Sequence, residues 1–238
     1  MQTVKIDRII NTDCARLMSK IASQSVDLIL TDPPYGICYR SKSRRLSRQT
    51  VEGDEAPYIW WLHEAARVLK DNGSLLCFTR WDVIGAWHTA IEYAGLRVRS
   101  CLVWDKGVHG MGNTKAQFAP QHELCLFATK ADFEFPNGRP VDVIRVAKMP
   151  SADMIHPTQK PVALFEQLIK VTTLPGALVV DPFAGSGTTA IAAINTDRHF
   201  LCSEIDHTHF TASCRRIATH KREYALRAEM RDQDPIKP

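Results

Sequence analysis

Hydrophobic and polar positions along the chain fall into two alternating patterns. Short runs of apolar and β-branched residues predict buried strands, and longer segments with helical spacing predict helices. The predicted strands cover residues 26–31, 74–79, 96–104, 122–129, 177–181 and 199–204. The predicted helices cover residues 57–70, 82–93, 161–173, 188–195 and 207–220. Strands that alternate with helices predict an α/β fold with a mostly parallel twisted sheet and helices on both faces.

Turn and capping residues mark the ends of several predicted elements. Pro57 suits the first turn of its helix, and Asp71-Asn72-Gly73 is expected to end that helix. Asp82 is expected to cap the following helix through its carboxylate. Trp60 and Trp61 lie within the first of these helices and are expected in the hydrophobic core.

Two stretches interrupt the alternation of strands and helices. One covers about residues 36–55, and the other about residues 106–120 with 131–154. Loops of this length in a compact domain are often functional. The first contains five basic residues with no acidic residue between them, which is typical either of a solvated loop or of a loop that contacts phosphates. These residues are Arg40, Lys42, Arg44, Arg45 and Arg48.

The amino-acid composition limits the classes of protein to which the chain can belong. With 238 residues, 45% of them hydrophobic, the chain suits a single α/β domain over residues 1–238. There is no apolar run of membrane-spanning length and no recognisable signal peptide, so we expect a cytoplasmic protein without a membrane partner. The net charge of +4 is only a mild bias towards polyanions. Seven cysteines without CxxC spacing are expected to be reduced core thiols, and no metal site is expected.

A glycine-containing turn between a predicted strand and a predicted helix carries the first candidate chemistry. Gly185 and Gly187 allow the backbone to approach a ligand, and the amide groups at the start of the helix can bind an anion. The spacing from Gly185 to Ala190 fits the G-x-G-x-x-A pattern of dinucleotide-binding proteins. Glu204 ends the next strand, where an acidic residue can bind ribose hydroxyls. The turn favours an adenosine-containing cofactor and leaves NAD and S-adenosylmethionine as alternatives.

A second unusual turn, TDPPYG, follows the predicted strand at residues 26–31. Pro33 and Pro34 remove two backbone donors and fix two φ angles, which suits neither a continued strand nor an ordinary turn. Asp32 and Tyr35 place a carboxylate and an aromatic ring beside them. The stretch is therefore either a rigid corner or a chemical site.

Together these motifs resemble those of the amino-methylating DNA methyltransferases that use S-adenosylmethionine. The resemblance rests on Asp32-Pro33-Pro34-Tyr35 and Asp181-Pro182-Phe183-Ala184-Gly185-Ser186-Gly187. The first motif precedes the second, as in the permuted β class of that family. Residues 11–14, 104–107, 121–127 and 156–161 are also similar, so the resemblance covers most of residues 7–218. It implies a Rossmann-like methyltransferase fold in which the DPPY half precedes the FxGxG half.

The resemblance implies methyl transfer to an exocyclic amine of a DNA base. Because the lone pair of such an amine is conjugated into the ring, the site needs acceptors that polarise its N–H bonds. Asp32 is expected to supply a carboxylate, and Pro33 a backbone carbonyl that the ring of Pro34 helps to orient. Tyr35 is expected to stack on a base that has left the duplex. An aspartate at the head of the motif favours N6 of adenine, with N4 of cytosine as the alternative.

The resemblance also implies a set of cofactor contacts. Glu204 is expected at the ribose hydroxyls and Asp13 at the adenine, whereas His156, Thr158 and Lys160 are expected to close over the carboxylate or the ribose. The full set is Asp13, Cys14, Asp32, His156, Thr158, Lys160, Asp181, Phe183, Gly185, Ser186, Gly187, Thr188, Thr189, Glu204 and Ile205.

Double-stranded DNA is the implied partner. The insert available for target recognition, about residues 106–120 and 131–154, is small, which implies a short target or low selectivity. A homodimer and a paired restriction enzyme are left open, and the family is prokaryotic or phage-encoded and associated with the nucleoid. Two other functions remain as alternatives, an NAD-dependent enzyme and a DNA-binding module that has lost catalysis. The expected DNA contacts are Arg40, Lys42, Arg44, Arg45, Arg48, Lys106, Lys115 and Arg139.

Overall fold

One eight-stranded sheet runs through the part of the chain that the computed structural model describes, residues 4–36, 58–110, 114–150, 152–156 and 158–233. Its order is β1-β8-β7-β2-β3-β5-β4-β6. β5 is antiparallel to both neighbours and the other adjacent pairs are parallel, which confirms the predicted mostly parallel sheet. The strands are β1 (Arg8–Asn11), β2 (Val26–Thr31), β3 (Leu69–Thr79), β4 (Arg97–Asp105), β5 (His122–Thr129), β6 (Val143–Arg145), β7 (Leu178–Asp181) and β8 (His199–Glu204).

The helices of the described residues cover both faces of this sheet. They are α1 (Cys14–Met18), α2 (Leu62–Val68), α3 (Ile84–Tyr93), α4 (Val162–Thr172), α5 (Thr188–Asn195) and α6 (His207–Gln233). The first three helices pack in one hydrophobic core and the last three in the other. In β2, Leu28 and Leu30 belong to the core of α4, α5 and α6, and Ile29 belongs to the opposite one. A parallel strand that is buried on both faces requires such a continuous apolar run.

The sheet has a switch point between β2 and β7. The chain continues from β7 to β8 on one side and from β2 to β3 on the other. In open α/β sheets, ligands bind at the carboxyl ends of the strands at such a point. The two strand ends are joined directly, because the Thr31 hydroxyl donates a hydrogen bond of 2.8 Å to the Asp181 carboxylate.

The predicted boundary between α2 and β3 was wrong. α2 ends at Val68 and β3 begins at Leu69, so Asp71-Asn72-Gly73 lies within the strand and does not end the helix. The register between β2 and β3 shifts across this irregular segment. A Cβ on its glycine would lie 2.9 Å from the carbonyl oxygen of Lys70, so the tight path of the backbone requires glycine. The predicted helix start at Pro57 lies outside the described residues.

The predicted cap of α3 was also wrong. α3 begins at Ile84, and its N-cap residue, Val83, makes no side-chain hydrogen bond. The carboxylate of Asp82 instead pairs with the guanidinium of Arg80 at 2.7 Å. The carboxylate that was predicted to cap α3 therefore forms an ion pair with a neighbouring arginine.

Two adjacent tryptophans have different environments. Trp61 is buried in the core of α1, α2 and α3, as predicted. Trp60 is 76% exposed, so its prediction as a core residue was wrong. Both residues lie in the turn just before α2, where adjacent side chains point in different directions, and only the side chain of Trp61 is buried.

None of the described helices is long and apolar enough to cross a lipid bilayer. Within the described ranges, no group of three histidine, cysteine or acidic residues could hold a metal ion. The described cysteines are all free thiols, and Cys38 lies outside the described residues.

Candidate active site

A cavity of about 1730 Å³ opens at the carboxyl ends of the central strands. The cavity is lined by the Asp-Pro-Pro-Tyr turn and the glycine turn, together with residues that follow β3 and β8. Pockets for one small molecule usually measure about 300–1,000 Å³. The cavity therefore has room for a cofactor and for part of a second molecule.

The glycine turn has the backbone that its sequence predicts. Gly185 and Gly187 have φ angles of 49° and 75°, in the left-handed region that favours glycine. A Cβ on Gly187 would lie 3.0 Å from the Cδ1 of Ile217, and one on Gly185 would lie 3.4 Å from the ring of His156. The left-handed backbone therefore disfavours other residues at both positions, and at Gly187 the close approach of Ile217 adds to this.

Asp181 fastens the start of the glycine turn. Its buried carboxylate accepts hydrogen bonds from the hydroxyls of Thr31 and Thr189 and, at 3.0 Å, from the amide of Phe183. Burial raises the pKa of Asp181 to about 6, against the opposing effect of these hydrogen bonds. Its partners are all groups of the protein itself, so it braces β2, the turn and α5 against one another.

Glu204 is placed at one end of the cavity. One carboxylate oxygen accepts from the amide of Gly185 at 2.8 Å, and the other accepts from the amide of Asp206 at 2.9 Å. Burial raises the pKa of Glu204, and the two amides oppose this rise. Each oxygen of a carboxylate has about two acceptor positions, so both oxygens retain capacity for hydroxyl groups.

Arg216 of α6 holds the glycine turn from behind, a contact that sequence analysis missed. Its guanidinium donates to the carbonyl oxygen of Ser186 at 2.9 Å and to the hydroxyl of Thr188 at 3.2 Å. Burial lowers the pKa of Arg216 to about 10, which leaves it charged at neutral pH. A positive charge therefore stands next to the start of α5, where a helix already favours an anion.

His156 covers the glycine turn on the cavity side. Its ring lies 4.4 Å from the ring of His209, centroid to centroid, and its Nδ1 accepts from the amide of Thr158 at 3.3 Å. Burial, together with the charges of His209 and Lys160, lowers the pKa of His156 to about 3. The imidazole is therefore neutral at physiological pH.

Asp32 follows β2, and its carboxylate accepts hydrogen bonds from two side chains of the protein. The hydroxyl of Tyr35 donates to one carboxylate oxygen and the ammonium of Lys160 to the other. Burial raises the pKa of Asp32, and the charge of Lys160 opposes the rise. The pKa of Tyr35 is raised well above its ordinary value, chiefly by burial, so its hydroxyl stays protonated and remains a donor.

Lys160 joins Asp32 to a second carboxylate. Its ammonium lies 3.2 Å from an oxygen of Glu123 on β5 and 5.2 Å from the ring centre of Phe78. The ammonium of Lys106 lies 3.4 Å from the other oxygen of Glu123. We call Asp32, Lys160, Glu123 and Lys106 the charge cluster. The resemblance implied that Lys160 closes over the cofactor, whereas in the structure its ammonium contacts Asp32 and Glu123.

The other predicted cofactor residues line the same cavity, apart from Gly187. The carboxylate of Asp13 caps α1 by accepting from the amide of Arg16 at 2.8 Å. Phe183 packs edge-on against Trp61 and Tyr58, with ring centres 5.5 Å and 6.4 Å away. The cavity-lining members of the set are Asp13, Cys14, Asp32, His156, Thr158, Lys160, Asp181, Phe183, Gly185, Ser186, Thr188, Thr189, Glu204 and Ile205.

The predicted DNA contacts are only partly described. Lys106 lines the cavity, and Lys115 is an exposed residue next to its lining. Arg139 does not line it, and nearby Asn137 donates to the carbonyl oxygen of Lys170, near the end of α4. The five basic residues Arg40, Lys42, Arg44, Arg45 and Arg48 lie outside the described residues.

Several residues of the cavity were not predicted from the sequence. Glu123 was placed in a strand without a role, although an acidic residue at the head of an apolar strand was a usable signal. Trp81 and Phe118 line the mouth of the cavity and are 70% and 101% exposed. They follow β3 and precede β5, and no local pattern indicates that these loops meet.

Comparisons with known proteins identify the family of the chain. A family model described as DNA methylase, of the N6/N4 type, matches residues 26–215. The chain is 33% identical over 222 residues to the putative methylase YubD of Escherichia coli (strain K12), covering 91% of this chain and 92% of the relative. Among solved structures, the M1.HpyAVI–SAM complex has a TM-score of 0.70 at 25% identity, covering 88% of this chain and 98% of that one.

A further solved structure shows the same fold. The PvuII DNA methyltransferase (cytosine-N4-specific) superimposes with a TM-score of 0.69 at 18% identity, over 94% of this chain and 93% of that one. The matched family region contains the Asp-Pro-Pro-Tyr turn, the glycine turn and Glu204. The chain therefore belongs to the N6/N4 family of S-adenosylmethionine-dependent DNA methyltransferases.

Proposed function

We propose that this enzyme transfers the methyl group of S-adenosylmethionine to the N6 amine of adenine in DNA. The observation that carries the proposal is a single cavity lined by both the carboxylate of Asp32 and the glycine turn. Adjacent strands β2 and β7 end at this cavity, as expected for the switch point of an open α/β sheet. The choice of adenine rests on the aspartate at the head of Asp32-Pro33-Pro34-Tyr35.

The residues of the cavity fit the parts of the cofactor, which supplies an electrophilic methyl group on sulfur. Glu204 retains acceptor positions on both oxygens for the two ribose hydroxyls. Phe183 and Tyr58 provide an aromatic wall suited to an adenine ring. The start of α5, with Arg216 behind it, suits a carboxylate.

The amine of the base requires hydrogen-bond acceptors at the other end of the cavity. The carboxylate of Asp32 has acceptor positions beyond those that Tyr35 and Lys160 use, so it can accept an amino hydrogen without losing them. The carbonyl of Pro33 is a second acceptor in a turn whose prolines restrict its motion. In the reaction the nitrogen would gain the methyl group as the carbon–sulfur bond of the cofactor breaks, leaving a thioether, and the nitrogen would lose one proton through Asp32 to solvent.

The base must leave the duplex to reach Asp32, which costs a few kcal/mol in unstacking and unpairing. Stacking on Tyr35 offsets part of this cost. Trp81 and Phe118, exposed at the mouth of the cavity, are suited to contact the neighbouring bases. Double-stranded DNA is the corresponding substrate.

Cytosine N4 is the alternative target, because it is also an exocyclic amine and needs the same acceptors. Mass spectrometry of nucleosides from DNA treated with the purified enzyme separates the two products. N6-methyladenine supports the proposal, whereas N4-methylcytosine as the only product refutes the adenine assignment.

The S-adenosylmethionine dependence of the family decides against the NAD-dependent alternative. A DNA-binding module without catalysis predicts DNA binding but no transfer of labelled methyl groups to any DNA, which the same assay measures. Sequencing of methylated positions in an expressing host tests the expectation of a short or loosely selected target. The homodimer and the paired restriction enzyme stay predictions.

A further inference from the structure

We propose that Lys160 and Glu123 are positioning residues that together set how strongly Asp32 accepts the amino hydrogens of the target base. The inference rests on the proposed function and assigns a role to two members of the charge cluster that do not themselves transfer the methyl group. Lys160 favours the charged form of Asp32, and Glu123 limits that effect by sharing the ammonium.

The geometry places one ammonium between two carboxylates from different parts of the chain. Asp32 follows β2, Glu123 belongs to β5 and Lys160 precedes α4. The side chain of Lys160 is only 7% exposed, and its ammonium contacts both carboxylates, one of them at 3.2 Å. An ammonium has three hydrogens, so two of them can serve these carboxylates at the same time.

The charges of the cluster balance. Asp32 and Glu123 contribute two negative charges, and Lys160 and Lys106 contribute two positive charges. Removal of Lys160 would leave two buried carboxylates and only the ammonium of Lys106, which pairs with Glu123, so that protonation of Asp32 becomes more favourable. A protonated Asp32 would lose acceptor capacity towards the amine, because one of its oxygens would then carry a hydrogen.

The other titratable groups near the cluster differ in whether they change charge between pH 5.5 and 9. Tyr35, Cys77 and Cys125 keep their protons because burial raises the pKa of each well above its ordinary value. His156 stays neutral with a pKa of about 3. Asp181, with a pKa of about 6, does titrate, so the Asp181→Asn variant is needed as a background control.

The proposal predicts opposite shifts from two substitutions. Lys160→Met should move the acid limb of the kcat profile upwards by about one to two pH units, because an opposite charge near Asp32 is lost. Glu123→Gln should move the acid limb downwards, because a like charge near Asp32 is lost. It should also lower kcat several-fold on the plateau, because Asp32 then no longer shares the ammonium of Lys160 with Glu123. In the double variant the limb should return towards the wild-type position, so that at pH 7 the double variant is faster than Lys160→Met. Lys160→Arg should keep the wild-type limb.

The alternative role of Lys160 is to close over the carboxylate or the ribose of the cofactor, as the resemblance implied. In that case Lys160→Met raises KM for S-adenosylmethionine, leaves the acid limb in place, and gains nothing from the added Glu123→Gln substitution. Such a result would overturn the proposal. An equal loss of kcat at every pH, the result of a purely structural role, would also overturn it.

The experiment measures methyl transfer from labelled S-adenosylmethionine to DNA by the full chain at pH 5.5–9, with kcat and KM resolved. A parallel titration follows the ¹³C-labelled side-chain carboxyl signal of Asp32 by NMR, with Asp32→Asn used to assign it. If the wild type methylates no DNA, the proposed function fails, while the opposite shifts of the Asp32 signal still test the charge cluster. If Lys160→Met does not fold, Glu123→Gln alone decides, since an unmoved or raised Asp32 titration contradicts the inference.

Discussion

Two Asp-Pro dipeptides stand at the ends of adjacent parallel strands and have different environments. Asp32-Pro33 follows β2, and Asp181-Pro182 ends and follows β7. Asp32 contacts an ammonium and a phenol hydroxyl and lines the region proposed for the base. Asp181 is 3% exposed and is surrounded by two threonine hydroxyls and a backbone amide.

The difference shows that the dipeptide does not decide the role of its carboxylate. Both side chains are buried enough that burial raises their pKa. The partners of Asp181 are neutral donors fixed within β2, the turn and α5, so its acceptor capacity is used to hold the fold. Asp32 accepts from one lysine and one tyrosine, which leave acceptor positions on its oxygens, so it can accept an additional donor. We therefore propose a chemical role for Asp32 and a mainly structural role for Asp181.

The largest expected effect is on catalysis by the first dipeptide. Asp32→Asn should lower kcat by about 10²–10³-fold, because an amide presents hydrogens where the amine needs acceptors. The affinity for S-adenosylmethionine, measured by calorimetry, should stay within about threefold of the wild type. Turnover equal to that of the wild type would contradict the role of Asp32.

The second dipeptide should respond through stability. Asp181→Ala should lower the free energy of unfolding by about 2–4 kcal/mol, because buried donors of Thr31, Thr189 and Phe183 lose their acceptor. Urea denaturation measures the change. Asp132→Ala, on an exposed aspartate, is the control and should change stability by less than about 0.5 kcal/mol. Equal effects of the two substitutions would contradict the bracing role.

The raised pKa of Asp181 predicts a specific dependence of stability on pH. Its value of about 6 in the folded protein lies above the ordinary value of 3.8. Its contribution to stability is therefore fully present below about pH 4 and is lost as the pH rises through about 6, a change of about 3 kcal/mol. The unfolding free energies of the wild type and Asp181→Asn should diverge between pH 4 and 7. Parallel curves would show that Asp181 is not the titrating group.

The smallest effect is expected at the link between the two strand ends. Thr31→Val removes the hydroxyl that donates to Asp181 at 2.8 Å and keeps the volume of the side chain. It should lower the free energy of unfolding by about 1 kcal/mol and change kcat by less than about threefold. Thr31→Ser retains the hydroxyl and should recover most of the stability. A large loss of kcat with unchanged stability would mean that the two dipeptides are coupled through chemistry.

Elements whose signals are complete within a short stretch could be predicted from the sequence. The predicted bounds of β5, α5 and β8 agree with the structure, because each is an apolar run between clear turn residues. β1, β6 and the five-residue α1 were missed, since segments this short carry too few positions for a period. α6 runs to Gln233, beyond the predicted end at His220, because its later residues favour helix by propensity without forming an apolar stripe.

The residues of the candidate site likewise divide into those that a short motif predicts and those that it does not. The Asp-Pro-Pro-Tyr turn, the glycine turn and Glu204 were found because each is a short motif next to a strand. Glu123, Arg216 and the pairing of Lys160 with Asp32 were not predicted, because they join distant segments. The local pattern around Lys160 indicates a segment that precedes a helix. It does not indicate which carboxylate the ammonium of Lys160 contacts.

The sequence by itself determined the alternation of strands and helices, the two strand-end turns and the class of chemistry that they support. These follow from side-chain periodicity and from backbone constraints of glycine and proline, which act over a few residues. Only the tertiary structure decided that Asp181 is enclosed by hydroxyls while Asp32 shares Lys160 with Glu123. The physical reason is that charge balance and burial depend on groups far apart in the chain, and the order of strands in the sheet brings those groups together.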